Sequence, residues 1–318
     1  MSITLAIFYL ALGFVVLIKS ATYLIDSINF VAKVSRVPKF IIGATLVSLI
    51  TTTPELFISI SSTIRDENEF AIANAIGTVI FNTGIILSLV AIFRNSKIDR
   101  VNIFEKTAIM VLSIITLTVF SRDYYIEWYE GMIQFILVFI YAYLNSISII
   151  KGNSLNKQNK FNNRQKKITR QILIIIFCAL LIFLISAINI LSIREIINQI
   201  KPSEVIINFM LIIITSLPEL SIAIVALLRK HQSIVIGNVL GANIINLTFI
   251  CGFSGIISHI GLKIMSITYI NDLLIFFLLL LILLLPMILN GKIKKKQGYI
   301  GISIYILYII YTLFFVVE

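Results

Sequence analysis

The sequence predicts an all-α, polytopic membrane protein of about ten transmembrane helices, built as two inverted five-helix repeats. Three observations lead there. The 318 residues are 59% hydrophobic and only 13% charged, with a mean hydropathy of +1.03, well above the apolar share of a soluble domain. The charges gather in short clusters between apolar runs long enough to cross a bilayer as helices. Finally, a polar phrase occurs twice: Thr51-Thr52-Thr53-Pro54-Glu55 returns as Thr215-Ser216-Leu217-Pro218-Glu219, and the stretch from Asn74 to Asn82 returns as Asn238 to Asn246. Glu219 follows Glu55, Gly241 follows Gly77 and Asn246 follows Asn82 by the same 164 residues, so the spacing within the phrase is duplicated along with the phrase.

Between the charge clusters the apolar runs predict spans over 3–25, 38–63, 69–93, 106–121, 128–150, 171–191, 203–228, 232–257, 267–289 and 299–317. Lys19 sits deep in the first run, which has no basic leader before it, so that run reads as a span and not as a signal peptide. Residues 151–170 carry seven Lys and Arg, no acid and little apolar content. They cannot span, and they read as a flexible basic linker between a first repeat, 1–150, and a second, 171–318. Five spans per half reverse the entry side of the second copy, which inverts the repeats about an axis in the membrane plane.

Alternate loops hold 20 and five basic residues. The positive-inside rule assigns the 20 to the cytoplasm and leaves both termini outside, in a multi-pass protein of the cell membrane. The net charge of +11 then reflects topology and contact with the lipid bilayer, not nucleic-acid binding. Cys178 and Cys251 lie in apolar runs without paired spacing and read as packing residues. His231 and His259 lack a second ligand at metal spacing. No cofactor and no obligatory protein partner is expected.

Glu55 and Glu219 carry the chemistry. An acid near the bilayer centre costs roughly 2.5–3.5 kcal/mol on insertion scales and is kept where an ion, proton or charged partner compensates it. Pro54 and Pro218 lack an N–H and release the carbonyls of Ile50 and Ile214, which predicts a bent helix with free oxygens one turn before each acid. Those carbonyls, the hydroxyls of Thr51, Thr52, Thr215 and Ser216, and two carboxylates form an all-oxygen set suited to Ca²⁺ or Na⁺. Thr78 and Asn82 share one face of the second polar helix, as do Ala242 and Asn246, while Gly77 admits a close neighbour. Singly, Ser, Thr and Asn also serve as interhelical packing glue, but packing gives no reason for two buried acids.

These residues resemble the cation/Ca²⁺ exchanger superfamily, whose repeats carry a G-T-S-x-P-E helix followed by a G-N-x-x-G-S-N-x-x-N/D helix. The resemblance covers 40–93 and 204–257 by motif and the whole chain by layout. It implies an antiporter exchanging Ca²⁺ for Na⁺ or H⁺, not an enzyme. Glu55 and Glu219 would ligate Ca²⁺, backbone carbonyls at Thr51 and Thr215 would complete its shell, and Thr52, Ser216, Thr78, Asn82 and Asn246 would serve flanking Na⁺ sites. Ile50 and Ile214 replace the motif glycine, Val79 replaces an asparagine, Ala242 a hydroxyl, and position 246 carries no acid. An ion channel or a membrane enzyme stands as the alternative of a different class; the motif helices offer neither a nucleophile nor a basic group for enzyme chemistry.

Overall fold

The computed structural model describes residues 2–93, 100–153, 162–258, 261–264 and 266–315. Among these, nine helices are long and apolar enough to cross a membrane: α1 (Ile3–Ser35), α2 (Lys39–Ile64), α3 (Asn68–Phe93), α4 (Arg100–Asp123), α5 (Trp128–Ile150), α6 (Lys167–Ile200), α8 (Gln232–Ile257), α9 (Tyr269–Asn290) and α10 (Lys295–Phe314). The tenth span, α7, consists of two halves, Glu204–Thr215 and Leu217–Leu228, bent by 45°. The ten expected spans are all present, and the chain is a multi-pass membrane protein.

Burial sorts the helices into layers. α8, α3 and α2 are the most enclosed, whereas α1, α5, α6 and α10 turn most of their surface outward. The outward faces are apolar, as with Phe8, Leu12 and Val15 on α1 and Leu173, Phe177 and Leu180 on α6, which is the surface a helix shows to lipid. α1 and α6 pack chiefly against each other. At 33 residues, α1 would measure about 50 Å at 1.5 Å per residue, so it crosses a core of about 30 Å tilted or overhanging.

Several boundaries depart from the sequence expectation. α1 and α6 run past the apolar windows into the charged segments, because a helix needs no membrane once its first turns are formed. The helix containing α6 begins at Asn162, inside the segment read as a flexible linker; residues 154–161 of that segment, like His259, lie outside the described residues. α4 starts at Arg100, six residues before the predicted span, and Lys106 lies within the helix. It is fully enclosed, with its ammonium 3.3 Å from Glu105, and this neighbouring acid offsets part of the cost of enclosing the charge. The loops after α4 and α8 meet in a two-residue antiparallel ladder, Tyr125–Ile126 against Leu262–Lys263. Cys178 and Cys251 are free and buried.

Candidate ion-binding site

Four helices build the centre: α2 and α3 from the first repeat, α7 and α8 from the second. α2 packs against the turn of α8 that begins at Ile245, and the second half of α7 packs against the turn of α3 that begins at Asn82. Both turns are wide, π-type helix, Asn82–Leu87 and Ile245–Ile250, a local widening frequent at functional sites. Each glutamate helix is thus set against the wide turn of the other repeat.

The two proline positions are not equivalent. At Pro218 the helix breaks: Ser216 leaves helical geometry at φ −82°, ψ 2°, and the 45° bend follows. At Pro54 it does not, and Ser48–Ile64 continues as α-helix through the proline. The irregularity in the first copy lies upstream, in a third wide turn, Gly43–Val47. A bend equal in both copies is therefore not what the repeat adopts.

Glu55 and Glu219 are each fully enclosed, on helix segments that pack against one another. None of their four carboxyl oxygens finds a hydrogen-bond donor among the described residues. The Thr51 hydroxyl lies 3.3 Å from the Ser48 carbonyl and 3.3 Å from Asn238 Oδ1 as donor. In the other copy Thr215 donates to Asn74 Oδ1 at 3.4 Å. Asn74 and Asn238 head the two polar stretches yet were assigned no role from sequence; their shared 164-residue offset was the available signal.

The remaining sequence-selected residues line the same helices and are all buried. Thr52 donates to the Ser48 carbonyl at 2.7 Å, which leaves its oxygen lone pairs free. Ser216 Oγ, Thr78 Oγ1 and both polar atoms of Asn82 lack partners among the described residues. Asn246 donates to the Ala242 carbonyl at 3.0 Å while its Oδ1 remains unpartnered. Among the described residues no third Asp, Glu, His or Cys joins the two acids in a metal-sized group. Buried acceptors without donors are costly, and the carboxyl, hydroxyl and amide oxygens of this shell suit a hard cation.

One departure from the motif acquires a physical reason. Val79 stands where the second copy has Asn243, and Leu247 stands where the first has Thr83. Asn243 Nδ2 donates to Thr83 Oγ1 at 2.8 Å, so the two polar members of the mismatched pairs satisfy each other across the repeats.

The two ends of the centre differ in openness. At the end bearing the basic loops, α2 and α8 touch backbone to backbone. A Cβ on Gly43 would lie 3.1 Å from Asn238 N, and one on Gly237 would strike the Phe40 carbonyl, so only glycine permits this approach. The duplicate pair, α3 with α7, is parted at the opposite end by a cavity of about 510 Å³ that descends to Ile76 and Ile212. Gly77 lies below it, and a Cβ there would strike the Ile212 side chain, the close approach expected of that glycine. Asp272 of α9 lines the same cavity; it lies in an apolar run, where an acid is an intramembrane signal that the sequence reading passed over.

The family model described as sodium/calcium exchanger protein matches residues 5–147 and 170–314. The chain belongs to the sodium/calcium exchanger family. It is 27% identical to the sodium/calcium exchanger MaX1 of Methanosarcina acetivorans, over 99% of this chain and 100% of that one. It is also 26% identical to the membrane protein MJ0091 of Methanocaldococcus jannaschii, over 95% and 96% of the two chains. A structure of the sodium-calcium exchanger NCX_Mj, soaked with Na⁺ and Sr²⁺, superposes with a TM-score of 0.83 at 23% identity, covering 97% of this chain and 99% of that one. Both family segments contain one copy of the acid-bearing helix and one of the asparagine-bearing helix, in keeping with the duplicated fold.

Proposed function

We propose that the protein is a secondary antiporter that exchanges Ca²⁺ for Na⁺ across the cell membrane by alternating access, with Glu55 and Glu219 as paired calcium ligands. The observation that carries this reading is the enclosed pair of carboxyl groups whose four oxygens lack donors among the described residues. Two carboxylates balance one divalent charge, and carbonyls at Thr51 and Thr215 bring the oxygen count toward the six to eight that Ca²⁺ takes. Thr52, Thr78, Ser216, Asn82 and Asn246 supply neutral oxygens for Na⁺, which needs ligands but less compensating charge. The exchanger name of the Methanosarcina relative supports the same cargo. Asn246 is neutral and no third acid among the described residues joins the pair, which favours Na⁺ over H⁺ as the coupling ion.

The basic loops mark the cytoplasmic end, so both termini are extracytoplasmic and the cavity between α3 and α7 opens outward. Closure of α2 on α8 and opening of α3 from α7 are duplicates of one another, and exchanging their states would move access to the other side while the carboxylates stay at the centre. Uptake of ⁴⁵Ca²⁺ into proteoliposomes tests the reading. An outward Na⁺ gradient drives uptake and an outward H⁺ gradient does not. Uptake driven by H⁺ alone would replace Na⁺ with H⁺ as the coupling ion; no uptake under either gradient would overturn antiport, and Ca²⁺ flux at channel rates without a counter-ion would replace it with a channel.

A further inference from the structure

The outward cavity contains an acidic element that calcium ligation by Glu55 and Glu219 leaves unused. Asp272 is the seventh residue of a helix beginning at Ser266, so it sits about 9 Å below that helix start at 1.5 Å per residue. Among the described residues no Lys or Arg lines the cavity to pair with it. Of the other acids on the wall, Glu69 is already bound to Lys263 at 2.9 Å, and Glu204 stands at the first turn of α7.

Two tyrosines frame Asp272. Tyr308 of α10 lines the cavity with it. Tyr269, one helical turn before it, also lines the cavity; it is only 4% exposed, and its hydroxyl has no partner among the described residues. A buried tyrosine hydroxyl ordinarily finds one. The Asn208 side chain completes the wall from α7. The chemistry is again all oxygen, with one carboxylate where the centre has two.

We propose that Asp272, Tyr269 and Tyr308 form a second cation site in the outward cavity, separate from the central pair and selective for a monovalent alkali cation, with Na⁺ as its ligand. One carboxylate and neutral hydroxyl oxygens match a single positive charge, whereas a divalent ion would retain uncompensated charge in an apolar cavity. The Tyr308 ring lies edge-on to Phe209 of α7, with centroids 5.9 Å apart, so the site abuts the half-helix that bounds the opening. The existence of the site does not depend on exchange; its role in staging the counter-ion rests on that reading.

Equilibrium binding of ²²Na⁺ to the purified full-length protein tests the site. In a Glu55→Gln/Glu219→Gln background, which removes the central charges, saturable Na⁺ binding persists, and adding Asp272→Asn lowers the stoichiometry by one Na⁺ per chain. Tyr269→Phe weakens that binding several-fold in a protein whose elution profile and melting are unchanged. In proteoliposomes, Asp272→Asn raises the half-saturating Na⁺ concentration several-fold on the cavity side alone. An unchanged stoichiometry after Asp272→Asn, or an equal effect on both faces, would overturn the proposal. Failure of the exchange reading would appear elsewhere, as a parent protein that binds Na⁺ at Asp272 but carries no ⁴⁵Ca²⁺.

Discussion

The Thr51 hydroxyl lies 3.3 Å from Asn238 Oδ1, a contact between the repeats that Thr215 and Asn74 duplicate at 3.4 Å. Each threonine precedes its glutamate by four residues, one helical turn, so these bonds fix the acid-bearing helices against the asparagine-bearing helices at the level of the site. A net hydrogen bond of this kind contributes about 1 kcal/mol. Asn74→Ala and Asn238→Ala are therefore each expected to raise the half-saturating Ca²⁺ concentration about fivefold with both glutamates in place. Concentration series of ⁴⁵Ca²⁺ flux check this, and affinities equal to the parent's would remove these bonds from the account.

In the proposed exchanger the neutral oxygens separate the two ions. Thr52→Ala, Thr78→Ala and Ser216→Ala remove a ligand without removing charge, so Ca²⁺ binding should remain within a few-fold of the parent while the Na⁺ dependence of exchange weakens. Paired titrations of Ca²⁺ and Na⁺ on each variant decide the matter. Equal losses for both ions would assign these hydroxyls to packing.

The glycine contact between α2 and α8 makes a conformational prediction. Gly237→Ala would drive a methyl group into the Phe40 carbonyl, and overpacking of this kind costs about 1–3 kcal/mol. Opening of the α2–α8 contact at the face bearing the basic loops relieves it. A cysteine introduced at Ser48, which is fully buried, should then react faster with an impermeant maleimide applied from that face. Unchanged labelling would show that the closure rests on other contacts.

His231 gives the same face a pH dependence. Its Nδ1 lies 3.4 Å from the Lys39 ammonium, which has protons only to donate, so the ring must accept and be neutral there. Burial first, and then the Lys39 charge, hold the imidazole below its usual range. With the pKa of the closed state depressed, the stabilisation is present above the ordinary value of about 6.5 and is lost as the pH at that face falls through the lowered one. Acidification of that face should loosen the α2–α8 closure, and His231→Gln should abolish the effect. Maleimide labelling at position 48 between pH 7.5 and 5.5 measures it.

The sequence already displayed the ten spans, the duplication and the two acids, because a charge in an apolar run is costly enough to be conspicuous and a fixed offset needs no coordinates to see. What it concealed depended on tertiary packing. Nothing local distinguishes Pro54, which continues a helix, from Pro218, which follows a break; the wide turn at Gly43–Val47 and the contact of Gly43 with α8 belong to the first copy alone. The pairing of Asn243 with Thr83 required knowing which helices face each other. Asp272 was visible as an intramembrane acid, but it stands outside the repeated motif, and only the cavity shows what it faces.

The central claim is that Glu55 and Glu219 hold one Ca²⁺ between them, and ⁴⁵Ca²⁺ uptake into Na⁺-loaded proteoliposomes tests it most directly. Removing either charge leaves a single carboxylate and too few oxygens for a divalent ion. Glu55→Gln and Glu219→Gln should each reduce uptake to the level of protein-free liposomes, with the double variant no worse than either single one, in proteins that elute and melt like the parent. Uptake at the parent rate by either single variant would contradict the paired-carboxylate mechanism.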